Sequence, residues 1–510
     1  MKNKKAATSK ASKASAEPTW YADIRGMFTK TDIDHMRGVG IDLSSYAGVK
    51  SHASDIYQQT ATGRMPPGKP WNTKQQNTFL KWMQAGYPKG IPTTPKGLLR
   101  AVSAKQVGRV RKDITALSSS ELNLLKKAFK GIMDLPSDDP NSYFVQAGYH
   151  WLPEPSTWCV HHAPGYNPWH RAYLVSFENA LRSIPGCEQV TLPYWDITKP
   201  FPDVLKKAPF DSYTYPEDIG HGHKKGDKTS RFDYKTIKTN LSTYKVTEKV
   251  QRALTKTDWE DFHGMFAGAT NNTIINAHDS GHVSIGPTMS DQDVAAFDPV
   301  FWFFHCNWDR LFWVWQKQMQ ATDLNGLLST IDKDNDPVSY QIFTEPALEV
   351  LVPFTENTPY LTTLKIIDSV NSLDIEYKEA APLAAPRMVR KLKRESSAAE
   401  AFAVDTKTAS IRVNGINRLK IPGSFFVHLT QDGKVLESTC FFQPNEAEKC
   451  ENCSKNAIVH FDFELPLQKI AKGELGVWVE PLNKEVLGDH FPHKMMGNPT
   501  VDVRLNLSTE

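Results

Sequence analysis

"STWCVHHAPGYNPWHRAYLVSFENALR", residues 156–182, carries three imidazoles within ten positions and then runs on in a helical rhythm. After His170 the apolar residues Leu174, Phe177 and Leu181 follow at intervals of three and four, which puts His170 on the core-facing stripe of that helix. A second cluster lies in "HDSGHVSIGPTMSDQDVAAFDPVFWFFHCNWDRLFWVWQ", residues 278–316. His278 and His282 are four apart, so a helix projects both imidazoles from one face, which is ligand spacing for one metal ion. His305 shares a face with Asp309 and Phe312. A lone core histidine is usually satisfied by a hydrogen bond. Five or six together are different: each buried, unpaired polar group costs roughly 1–3 kcal/mol, and the set would rival the 5–15 kcal/mol that keeps a domain folded. Metal ligation resolves that conflict. An all-imidazole set without carboxylate or thiolate suits copper, zinc or iron, and spacing alone does not choose among them.

The chain of 510 residues is too long for one compact core and suggests two or three domains. A formal net charge of +3 gives no hint of nucleic-acid binding. No run of 18 apolar residues exists, which argues against a membrane span. The lysine- and serine-rich start, residues 1–18, reads as a solvated tail without the apolar stretch of a secretory signal. Six cysteines are too few and too scattered for a disulfide scaffold, so a cytoplasmic location is expected.

Residues 19–105 read as a small helical extension, from the apolar spacing of "TKTDIDHMRGVG" and "KQQNTFLKWMQAGYP". Between them "ATGRMPPGKPW", residues 61–71, resembles the methionine-bearing loop of small c-type cytochromes. No C-x-x-C-H attachment motif accompanies it, and a helical cap with a Pro-rich loop is expected. Residues 106–378 hold most of the aromatics and both histidine clusters. "VGRVRKDITALSSSELNLLKKAFKGIMDL" should open this region as one amphipathic helix with a capping box at "SSSE", and helices are expected over 170–182 and 299–318. Residues 379–405, rich in Ala, Pro and basic residues, form a linker that should be protease-sensitive. From 406 to 510 the period changes to two, in "ASIRVNG", "GSFFVHLTQDG", "KVLESTCFF", "AIVHFDFEL", "LGVWVEPL" and "TVDVRLNL", which predicts an all-β sandwich.

The segments "WCVHH…PWHRAYLVSFE", "LPYWDI", "HDSGH" and "DPVFWFFHCNWDRLFW" resemble, in order, the two copper-binding regions of tyrosinases and catechol oxidases. These belong to the type-3 copper family, and the bacterial and fungal tyrosinases with a C-terminal β-domain are the nearest kind. The resemblance implies a mainly α catalytic domain, a four-helix bundle around a dinuclear copper site, joined to the β-sandwich and the small N-terminal helical extension. It implies that His150, His161 and His170 hold one copper ion and His278, His282 and His305 the other, with dioxygen as co-substrate. His162 falls where the family has small residues and is implied to be a neighbour, not a ligand. Cys159 stands two before His161, an arrangement that several relatives cross-link as a thioether. Relatives usually show a His pair at the third ligand of the second copper; here Phe304 replaces the non-ligating partner.

The implied reaction is o-hydroxylation of monophenols and oxidation of o-diphenols to o-quinones, with a small phenol as substrate and no nucleic-acid or membrane partner. A homo-oligomer is compatible with this. A catechol oxidase or o-aminophenol oxidase without monophenolase activity, or a haemocyanin-like oxygen carrier, are the alternatives. Asp309 is expected to orient a ligand imidazole, Phe301 to pack on His282, and Asp279 to act as the phenol's base, since the family's water-holding Glu has no counterpart in "GMFAGATNNTIINA". Val283, Asp291, Gln292 and Asp293 fall in the substrate-entrance loop and predict a polar, acidic mouth favouring neutral or cationic phenols. The β-domain is implied to cover the site until the linker is cut, with "RMVRKLKR" as a cleavage zone. Cys450 and Cys453, a C-x-x-C pair, match one that some fungal relatives use to deliver copper; a redox pair or half a zinc site are the other readings.

Overall fold

Local signals set where several helices begin. Thr29 with Asp32, Asn72 with Gln75 and Ser118 with Glu121 each exchange side-chain and backbone bonds across a first turn. The computed structural model describes residues 18–44, 46–88, 108–153, 160–264, 268–344, 351–354, 361–378, 408–470 and 473–506. It divides into two compact units, Met1–Ser103 and Ala104–Glu510. In the first, helices α1 Lys30–Arg37, α2 Tyr46–Ser51, α3 Ala53–Ala61 and α4 Thr73–Gln84 enclose a core around Trp20, Ile24, Val49, Phe79 and Trp82.

The second unit opens differently from the expected long helix. Arg109–Arg111 is a strand, β1, paired in parallel with β3, Ile375–Tyr377. Asp113 and then Ser118 take backbone N–H groups with their side chains. Residues ahead of an N-cap stay extended, so the helix, α5, runs only Ser119–Met133. Then come α6 Tyr143–Gly148, α7 Tyr166–Ser183, α8 Tyr234–Thr243, α9 Val246–Ala253, α10 Trp259–His263, α11 Ile274–Ile285, α12 Pro287–Ser290 and α13 Val300–Met319. Helices α7, α11 and α13 are buried along most of their length, with α5 against α7, and they form the helical core. Gly281 lets α11 approach α13 closely: a Cβ there would stand 2.8 Å from the Phe304 ring. No described helix is long and apolar enough to cross a membrane.

The period-two segments form strands β4 Thr408–Asn417, β5 Phe425–Gln431, β6 Lys434–Phe441, β7 Ile458–Pro466, β8 Leu475–Pro481 and β9 Thr500–Asn506. With a short strand from the helical region, β2 at Gly268–Thr270, they make two sheets, in the orders β2-β7-β4-β9 and β6-β5-β8, around a core that includes Ile411, Phe425, Phe441, Phe461 and Phe463. One edge strand is borrowed. β2, Gly268–Thr270, belongs to the helical region and pairs in parallel with His460–Asp462 of β7. The sandwich is thereby fastened to the loop that leads into α11. The linker, residues 379–405, lies outside the described residues, as do residues 1–17 of the tail.

Candidate metal centre

Six imidazoles converge from five places in the chain. His150 follows α6, His161 precedes α7, His170 lies on α7, His278 and His282 on α11, and His305 on α13. Among the described residues, two groups bring one ligand atom from each member within 4.8 Å of one another: His150, His161 and His170, and His278, His282 and His305. The groups adjoin, with the His170 and His305 rings stacked at 4.7 Å and 10°. All six are buried.

The outward nitrogens decide the tautomers. Nδ1 of His150 donates to the Gln292 carbonyl at 3.1 Å, that of His170 to Tyr166 at 2.9 Å and that of His282 to Met289 at 2.8 Å. Nδ1 of His278 donates to Asp279 Oδ1 at 2.9 Å. A carbonyl or carboxylate can only accept, so in these four rings Nε2 carries the lone pair and faces inward. Among the described residues the buried Nε2 atoms of His150 and His278 have no hydrogen-bond partner, and those of His282 and His305 stand 3.2 Å apart. An imidazole tied at one nitrogen and idle at the other is the pattern of a metal ligand. Burial holds His161, His170, His278, His282 and His305 well below the usual histidine range and pushes His150 down to about 3, so all six are neutral and able to ligate. Donor type, number and tautomer fit two copper ions, three imidazoles to each.

His162 stands outside both groups. Its Nε2 donates to the Phe442 carbonyl at 3.1 Å and lies 3.2 Å from Asp279 Oδ2, and its ring stacks on Phe441 at 3.8 Å. Cys159 lies outside the described residues, so the thioether expectation has no structural counterpart here. Phe304 packs on His282 at 4.6 Å and His278 at 5.7 Å, giving both rings apolar contact. Phe301 lies 6.1 Å from His282 but 4.0 Å from His305 and 5.0 Å from His150, so it mainly backs the other two.

One expectation needs correction, and two others concern groups that are engaged in this closed form. Asp309 was expected to orient a ligand imidazole. Its carboxylate instead accepts from Arg171 Nε at 2.5 Å, from Arg111 Nη1 at 3.3 Å and from the Tyr377 hydroxyl, and His305 Nδ1 has no partner among the described residues. Arg111 and Arg171 are fully buried; Arg111 also meets Glu178 at 3.3 Å, but Asp309 is the carboxylate that pairs Arg171, and a buried guanidinium left unpaired costs more than an imidazole left with one idle nitrogen. Asp279 was expected to act as the phenol's base. One oxygen holds His278, while the other accepts from the Phe442 backbone N–H at 3.1 Å and faces His162. The acidic mouth is shut: Val283, Gln292 and Asp293 are all buried. Asn445 Nδ2 donates to Asp291 at 3.1 Å and to Asp293 at 2.9 Å, and His221 bridges Asp293 at 2.7 Å to Glu446 at 2.8 Å.

What shuts it is a residue that sequence reasoning passed over. Phe442, just past β6, is fully buried with its ring stacked on His282 at 4.1 Å and 17°, and with its edge toward His161 at 5.3 Å and His278 at 6.0 Å. Nothing local marks it; it is one more aromatic at the end of an apolar strand. Asn452 is a second such residue. It donates to the His161 carbonyl at 2.8 Å, which brings the short helix Glu451–Lys455 and the Cys450/Cys453 pair beside the first triad. Cys450 Sγ accepts the Cys453 backbone N–H at 3.1 Å, and Arg418 Nη2 donates to Cys453 Sγ at 3.2 Å. Hydrogen bonding from Cys453 lowers Cys450 to about 7, so a thiolate is accessible near neutrality.

A family model described as the common central domain of tyrosinase matches residues 140–318, the span that holds all six imidazoles. The chain is 24% identical over 447 residues to a tyrosinase of Aspergillus oryzae, covering 63% of this chain and 81% of that one. It is 31% identical over 231 residues to a haemocyanin of Enteroctopus dofleini, covering 41% of this chain and 7% of that one. Among solved structures, a tyrosinase from Burkholderia thailandensis superposes with a TM-score of 0.58 at 20% identity, over 78% of this chain and 100% of that one.

Proposed function

We propose that the chain is a type-3 copper protein, a copper-dependent phenol oxidase that hydroxylates monophenols and oxidises o-diphenols to o-quinones with dioxygen, held latent by its own β-domain. Two coppers in the imidazole triads would supply the redox chemistry toward dioxygen, and the protein supplies orientation and a dry pocket. The observation that carries the reading is Phe442. A six-carbon aromatic ring already lies face to face with His282, so the closed centre holds a hydrocarbon of a phenol's size and shape.

Opening the site means moving Phe442 and its neighbours. Asp279 Oδ2 and His162 Nε2 would then both lose their bond to the Phe442 backbone. This pair lies beside the vacated place and is suited to take the phenol's proton, while Asp279 Oδ1 keeps His278 oriented. Asp291 and Asp293, freed of Asn445, would line the mouth and favour neutral or cationic phenols. The C-x-x-C pair, with its accessible thiolate beside His161, is proposed to deliver copper to the first triad.

A docked cover and a haemocyanin relative also support a second reading, an oxygen carrier. The two separate on one experiment: copper-loaded chain is assayed with a monophenol and a catechol before and after limited proteolysis near residue 390. Turnover that rises on cutting supports the oxidase. A fully loaded, cut chain without turnover on either substrate would leave the carrier.

A further inference from the structure

The N-terminal unit encloses a cavity of its own, about 360 Å3, within the range of small-molecule pockets. Its walls are largely apolar, with Phe28, Met36, Ile41, Leu43, Ile56 and Trp71 among them. Metal-binding donors from different elements also line it: on α1 the imidazole of His35, with the Met36 thioether next to it in the chain, and in the Pro-rich loop after α3 the thioether of Met65. Imidazole and thioether are the borderline and soft donors that late transition metals prefer.

A bare ion fits this cavity poorly. It would need three or four protein ligands, and it would leave most of an apolar volume empty. The other polar groups on the wall do not complete such a set. Asp32 is engaged in capping, accepting from Thr29 N at 2.8 Å and Thr29 Oγ1 at 2.6 Å. Asp55 is exposed. His52 has its Nδ1 tied to the Gly48 carbonyl at 2.9 Å and to Ser51 Oγ at 3.0 Å. It also stands at the opposite end of α3 from Met65, and that helix of nine residues separates its ends by about 13 Å. A flat apolar ligand that brings four donors of its own needs only two more, one on each face.

We propose that this cavity binds an iron porphyrin non-covalently, with His35 and Met65 as the two axial ligands. All six cysteines of the chain lie at position 159 or beyond, so no thioether attachment is available within this unit. Arg64 and Lys69, exposed on the same loop as Met65, provide positive charge for the propionates. An imidazole–thioether pair gives a six-coordinate, low-spin iron with a raised potential.

The test is a titration of the full chain with hemin, followed by absorption spectroscopy before and after reduction. We expect saturation at one haem per chain and a low-spin spectrum with a sharp α band in the reduced form. His35→Ala and the near-isosteric Met65→Leu should each abolish that spectrum and weaken binding on the order of tenfold or more, while His52→Ala keeps it. Near-ultraviolet dichroism from Trp20 and Trp82 reports whether each variant keeps its core. Hemin uptake that never saturates would overturn the assignment. So would a low-spin spectrum that survives Met65→Leu in a folded chain, or copper(I) bound at His35 and Met65 with hemin excluded.

Discussion

Phe442→Ala removes the ring on His282 and nothing else that fastens the cover. The backbone bonds of residue 442 to Asp279 and His162 remain, as do Asn445 on Asp293, Lys245 on Glu437 at 2.9 Å and the β2–β7 pairing. A buried phenylalanine side chain contributes about 1.5–3 kcal/mol through the apolar surface it removes from water. An incoming phenol must displace that ring, so the closed form lowers apparent substrate affinity by the corresponding factor. Taking about 2 kcal/mol, the factor is roughly 30-fold. The assay is the initial rate of catechol oxidation by copper-saturated, uncut chain, native against variant, repeated after cleavage in the linker. The uncut variant should gain on the order of 30-fold over the uncut native chain, and the two cut forms should agree within about twofold. An uncut variant as silent as the native chain at full copper occupancy would show that access is closed elsewhere, and the reasoning from the stacked ring would fail.

Asp279→Ala should weaken copper at the second triad by about 10–100-fold, because His278 loses the acceptor that fixes its tautomer; metal content after dialysis measures it. Asp309→Leu should destabilise the fold by about 3–5 kcal/mol in denaturant titration, since Arg111 and Arg171 are left buried without their shared carboxylate, yet copper affinity per folded molecule should hold. A selective loss of the second copper would restore a ligand-orienting role. The closed form should also weaken as pH rises. Burial, and then the Asp291 carboxylate, raise Asp293 to about 6, so the stability from its protonated form is complete below the ordinary carboxylate range and lost as pH rises through 6. His221 is raised against its own burial by Asp293 and Glu446, so its contribution is complete below the usual histidine range and is also lost on raising pH. The urea midpoint should therefore fall between about pH 5 and 8, and Asp293→Asn should flatten that fall.

The strands of the β-sandwich were legible because alternation is written residue by residue, and β4 to β9 lie where the period of two placed them. The four-residue spacing of His278 and His282 was legible for the same reason, and so was the apolar stripe behind His170. Arg109–Arg111 was misread because its partner strand lies at Ile375–Tyr377, and a parallel pairing over that distance leaves no periodic trace in three residues. Asp309 was misread because one turn along a helix from His305 is a true neighbourhood, but two buried guanidinium groups from other elements compete for the same carboxylate.

By itself the sequence determined the chemistry and the local frame: imidazoles at helical spacing, capping boxes, alternating strands and the composition of the linker. Only the tertiary structure decided whether the centre is open. His162 and Phe442 are 280 residues apart, and they meet because two preformed surfaces dock. Periodicity reports on the few residues of one element. Docking sums many weak contacts between elements whose order in the chain carries no record of which faces will meet.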